Sequence, residues 1–143
     1  MSSSPDLLLL DLCRIQGDCF SSASSKSDRF IVAFLSSDIS KSMDDSNYFS
    51  LGNDAREYAR ELGLSLPKKN QYTPEVMHWM GYLYRYIANR KGVSSLALVH
   101  ALTPSMLASF YLSCHTADNE KAMGKIISSI KDKISPILYD KLK

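Results

Sequence analysis

Little in this chain is arranged as a recognisable chemical motif. Its cysteines, Cys13, Cys19 and Cys114, are odd in number and include no Cys-x-x-Cys pair. That pattern favours reduced thiols in a reducing compartment over a disulfide framework. Neither sign of charge dominates: 17 Lys and Arg stand against 15 Asp and Glu. Such a balance is too mild to support a nucleic-acid partner, whose signature is a strongly basic face. Long apolar runs are missing too. Leu7–Leu10 is far shorter than the roughly 20 residues that a bilayer-spanning helix needs. Ser2–Pro5 ahead of it carries no positive charge, so the basic start of a secretory signal is lacking. Cytoplasmic residence without a membrane partner is the expectation.

Catalytic signatures are equally scarce. There is no G-x-S-x-G elbow, no G-x-x-x-x-G-K-[ST] phosphate loop, no G-x-G-x-x-G turn and no H-E-x-x-H. Glu75–His78 supplies one E-x-x-H, but a helical di-iron site needs a second copy on another helix. Asp44–Asp54 is rich in Asp and Asn yet lacks the D-x-D-x-D-G spacing of a calcium loop. Neither a catalytic residue, a metal nor a cofactor is expected.

What is present is helical punctuation. The 143 residues, 45% hydrophobic and 22% charged, suit one globular domain that can bury a core without staples. A flexible serine lead at 1–5 precedes a short apolar helix over Asp6–Ile15, and the serine-rich stretch 17–27 reads as a loop. Helical spacing then predicts helices from about Asp28 to Met43 and over Asp54–Leu62. Further ones are predicted over Ser94–Leu102 and Ser105–Ser113, and from Asp118 as cap to about Lys133, with a terminal turn from Pro136. FIVAF, Phe30–Phe34, is short and apolar enough to suit a strand as well. The expected fold is all-α, a single-domain orthogonal bundle of about six or seven helices.

The central helix is the clearest. Thr73 is a good N-cap, Pro74 suits the first helical position and Gly92 suits the left-handed C-cap. At about 100° per residue, Val76, Met80, Leu83 and Ile87 align, and Trp79, Leu83, Ile87, Phe110 and Ile126 are expected in one core cluster. His78, Tyr82, Arg85 and Asn89 share the remaining sector. Arg85 lies between aromatics, where a guanidinium can stack and still present its planar fork. One reading makes it a structural tether to the Cys114–Asp118 turn, with Asp118 as the first choice of acid. The other makes it part of a partner or ligand contact with His78, Tyr82, Tyr86, His115 and Asp118.

These residues carry a resemblance. YTPEVMHWMGYLYRYIANRKGVSS and YLSCHTADNEKAM resemble a group of small bacterial proteins that share a G-Y-x-Y-R-Y helix, a Ser-Ser turn and a Tyr-x-x-x-His-Thr segment. The matching positions are Gly81, Tyr82, Tyr84, Arg85, Tyr86, Ser94, Ser95, Tyr111, His115, Thr116 and Asp118. The serine-rich stretch and the lysine-rich end do not match. The resemblance implies an antitoxin-like or mobile-defence accessory protein, with a toxin as its partner. The leading expectation is therefore a protein-binding module. Two alternatives stand beside it: a nucleic-acid-binding regulator using the helices near 94–113, and a small-ligand pocket around Arg85.

Overall fold

Short polar caps cut this chain into helices. The computed structural model describes residues 3–45 and 51–143, with side chains described from Leu7 onward and outside 51–52. The N-terminal helix α1 (Ser3–Ser21) leads into strand β1 (Ser25–Lys26), then α2 (Asp28–Leu35), α3 (Asp38–Asp44) and α4 (Leu51–Ser65). Strand β2 (Lys69–Asn70) precedes the long helix α5 (Pro74–Lys91). The shorter α6 (Ser95–Ala101), α7 (Pro104–Ala108) and α8 (Tyr111–Cys114) follow, then α9 (Asn119–Ile130), a 3₁₀ turn at Lys131–Lys133 and α10 (Pro136–Leu142). The fold is an all-α helical bundle. At Ser27, Ser37, Thr73, Ser94, Asp118 and Ser135 the capping oxygen accepts the backbone N–H three residues on. Each such bond satisfies a donor that the first helical turn leaves free, worth about 1 kcal/mol.

The described residues hold ten α-helices, more than the six or seven expected, because serines interrupt where periodicity continues. Ser37 Oγ donates to the Phe34 carbonyl at 2.5 Å and accepts from the Ser40 N–H at 3.2 Å. One side chain thus closes α2 and opens α3, splitting the helix expected over 28–43. FIVAF is helical. A minimal parallel pair, Ser25 with Lys69 and Lys26 with Asn70, was not foreseen. It is fastened beside the pairing by Asp28, whose carboxylate accepts from Tyr72 and Gln71.

The serine-rich stretch 17–27 is not a loop throughout. α1 continues to Ser21, since Gly17, Cys19 and Phe20 are buried against other helices. Of the serine lead 1–5, the first two residues lie outside the described residues, and Ser3–Pro5 already belong to α1. The loop expected between Asp44 and Asp54 is outside them over 46–50, and α4 begins earlier than expected, at Leu51.

α1 packs most extensively against α5. Their close crossing is set at Gly81, where a Cβ would stand 2.8 Å from the Gln16 carbonyl oxygen and 3.1 Å from Gly17 Cα. Backbones approach this closely only where side chains are absent. Beside the crossing, Phe20, Phe30 and Phe34 form a ring cluster with centroids 5.4–6.1 Å apart. Full burial of each contributes about 1.5–3 kcal/mol. Leu83, Ile87 and Ile126 lie in the same hydrophobic cluster, whereas Trp79 and Phe110 are half-buried at its rim. That corrects the expectation of a central Trp79.

Candidate functional site

α5 has two unlike polar faces. On the first, Arg85 is fully buried, and all five of its N–H groups have acceptors. Nε donates to Gln16 Oε1 at 3.0 Å, and Nη1 to Asp44 Oδ1 at 2.5 Å and Asn89 Oδ1 at 3.1 Å. Nη2 donates to Ser40 Oγ at 2.7 Å and, more weakly, to the Ser40 carbonyl at 3.5 Å. The second oxygen of Asp44 accepts the Ser95 backbone N–H at 3.0 Å, which fastens the start of α6. Gln16 passes the network on by donating to the Gly81 carbonyl at 2.8 Å.

Burial drives the Arg85 pKa down, and the Asp44 carboxylate pulls it back up. A guanidinium does not lose its proton in a protein, so the conflict is resolved by pairing. Arg85 is thus a tether, but not to the turn at 114–118. Its acid is Asp44, at the end of α3. Asp118 instead spends its carboxylate on the N–H of Lys121, capping α9. A sealed guanidinium cannot meet a partner or ligand, so Arg85 leaves the candidate binding set.

The second face opens to solvent. Glu75, His78, Trp79 and Tyr82 recur at i, i+3, i+4 and i+7 along α5 and form one stripe. Opposite them stand Tyr111 and His115 from α8 and its end, with Asn119 from α9, around a cleft of about 270 Å³. Trp79 meets Tyr111 edge to face at 5.6 Å, and the His115 ring stacks on Tyr111 at 4.3 Å. The His115 Nδ1–H donates to the Tyr111 carbonyl at 2.7 Å, which leaves Nε2 as its unengaged nitrogen. His78 Nε2 lies 3.3 Å from Asp18 of α1. Beneath its ring is Gly17, where a Cβ would come within 2.8 Å. Asn119 reaches the Tyr82 hydroxyl at 3.4 Å.

The expected site residues therefore separate. His78, Tyr82 and His115 share the cleft. Tyr86 lies outside it, donating from its hydroxyl to Glu120, which also accepts from Arg90 at 3.1 Å. Burial first, and that hydrogen bond second, raise the Tyr86 hydroxyl to about 12. The same bond, ahead of the Arg90 contact, lowers Glu120. Trp79 and Tyr111 were missed as site residues. The i, i+3, i+4, i+7 stripe and the i, i+4 spacing of Tyr111 and His115 were the signals that would have found them.

Chemically, the cleft offers aromatic faces, imidazoles and a carboxylate at its edge. Cys13 and Cys19 are buried elsewhere, and burial pushes their thiols up to about 12 and about 11. Thiols so protonated are poor nucleophiles. Among the described residues no three His, Cys, Asp or Glu side chains converge as metal ligands, and no helix is long and apolar enough to cross a membrane. No family model matches the chain, and neither a curated protein nor a solved structure matches it.

Proposed function

We infer that this chain is a protein-binding module whose contact surface is the aromatic cleft between α5 and α8. The observation that carries the reading is the contrast within one helix: Trp79 and Tyr82 are left half-exposed while Met80, Leu83 and Tyr84 beside them are sealed. Trp and Tyr dominate the hot spots of protein interfaces, where a large rigid side chain gives much contact for little lost entropy. The resemblance of this same stretch to antitoxin-like proteins supports a more specific form, in which the module neutralises a bacterial toxin by occupying its surface. The regulator alternative is less well supported, since the segment 94–113 contains neither Lys nor Arg to neutralise phosphate. A pocket centred on Arg85 has no entrance, because that side chain is sealed.

The test uses tagged full-length chain recovered from its own host, as wild type, as Tyr82→Ala/Tyr111→Ala, and as Leu64→Ala on a remote exposed surface. A specific protein should be retained by wild type and Leu64→Ala and lost by the cleft variant. Co-expression of that protein should arrest growth unless the wild-type chain is present. Identical retention by all three chains would overturn the reading.

A further inference from the structure

The cleft's lining has a charge character that narrows what can enter it. It contains one carboxylate, Glu75, and neither Lys nor Arg. A second carboxylate, Asp18, stands behind His78 at 3.3 Å, outside the lining, and also faces Arg56 at 3.9 Å. The rest of the polar lining is the Asn119 amide and ring surface: Trp79, Tyr82, Tyr111 and the two imidazoles. Aromatic faces carry negative quadrupole charge, so rings and carboxylate together favour a cation, and no Lys or Arg lines the cleft to oppose one. At about 270 Å³ the cleft falls just below the 300–1,000 Å³ typical of small-molecule pockets. It is sized for a side chain or two, not for a dinucleotide or haem.

We propose that this cleft receives a basic side chain, arginine or lysine, presented by the protein partner. The proposal deepens the binding-module reading and rests on it. An arginine fits best: its planar guanidinium can lie over Trp79 or Tyr82 while its N–H groups donate to Glu75. His115 Nε2, left as an acceptor because Nδ1–H is held by the Tyr111 carbonyl, adds a second place for a donor. An acidic or phosphorylated segment would meet Glu75 and the ring faces with like charge. The cleft thereby selects by repulsion as well as attraction.

Titration of the full chain with the peptide acetyl-Gly-Arg-Gly-amide, and with its citrulline counterpart, tests this directly. Citrulline keeps the shape and removes the charge. Trp79 is the only tryptophan, so its fluorescence reports from the cleft itself. Backbone amide shifts of residues 75–82 and 111–119 provide the second reading. The arginine peptide should bind saturably, and the citrulline peptide about tenfold more weakly or worse. Glu75→Gln should weaken the arginine peptide several-fold without moving the citrulline peptide. Equal binding of the two peptides, tighter binding of acetyl-Gly-Glu-Gly-amide, or no binding of either would overturn the proposal. So would tetramethylammonium binding more tightly than the arginine peptide, since that would assign the cleft to a small free cation. The outcomes separate from the module reading: a partner still lost by Tyr82→Ala/Tyr111→Ala alongside failed peptides sinks only the cationic occupant. A bound arginine peptide with no cleft-dependent partner sinks only the module.

Discussion

Tyr82 and Arg85 are one helical turn apart on α5 and meet opposite fates. Arg85 is held by α1 and α3, and through Asp44 reaches α6, with every donor satisfied, whereas Tyr82 reaches an open cleft with one long hydrogen bond to Asn119. One face locks four helices together and the other presents aromatic rings to solvent. The difference shows that a polar residue on a helix face is assigned its role by what packs opposite it. Arginine suits the locking role because its fixed fork of donors can engage several elements at once.

The largest effect expected from breaking the locked face is Asp44→Ala. It leaves a fully buried guanidinium short of its counter-charge and frees the Ser95 N–H, so unfolding stability should fall by about 3–5 kcal/mol. Combining it with Arg85→Met should cost less than the sum of the two changes, because the members of a buried pair are coupled. Additive losses in urea unfolding would show that the two side chains act independently.

The next comparison sets one glycine against the other. Gly81→Ala drives a Cβ into the Gln16 carbonyl and Phe20, neither of which can swing clear, and should destabilise by about 1–3 kcal/mol. At Gly17 the three atoms nearest to an added Cβ all belong to the ring of His78, a partly exposed side chain that can rotate away. The thermal stability of Gly17→Ala should fall less, while amide shifts around residue 78 should move more than those around residue 85. Equal destabilisation by both changes would mean that the crossing is not set at Gly81.

Legibility followed the range of the interactions involved. α5 was readable at both ends because its signals are local: the Thr73 hydroxyl takes the Val76 N–H, Pro74 follows it, and Gly92 adopts φ 64°. Asp118 was readable as a cap for the same reason, and that local bond is what took it away from Arg85. The partner that did hold Arg85 stands 41 residues away along the chain, and its proximity depends on α3 turning at Ser37. Nothing in the spacing of Asp44 expresses that. α1 was underread because the composition of 17–21 suits a loop, while burial of Phe20 beside Phe30 and Phe34 keeps it helical. In the cleft, His78 and Tyr82 were legible from their shared helix face. Trp79 was assigned to the core because apolar character on a wide stripe cannot distinguish the rim from the centre.

The smallest effect concerns the exposed corner near Tyr86. The Glu120 carboxyl is lowered, so its contribution is present at neutral pH, above its ordinary value of 4.5, and is lost as pH falls through its folded value. Because Glu120 is well exposed, solvent screens the interaction, and Glu120→Gln should cost no more than about 0.5 kcal/mol at pH 7. The gap between variant and wild type should close in acid, and a gap that widened there would reverse the assigned sign.

The most direct test of the two-faced helix is urea unfolding of Arg85→Ala beside His115→Ala. Arg85→Ala should lose about 3–5 kcal/mol, since a largely buried carboxylate and four other acceptors lose their donor together. His115→Ala removes an exposed ring from the cleft and should stay within about 0.5 kcal/mol of wild type. An Arg85→Ala chain as stable as His115→Ala, or a His115→Ala chain that loses as much as Arg85→Ala, would contradict the division of α5 into a locking face and a presenting face.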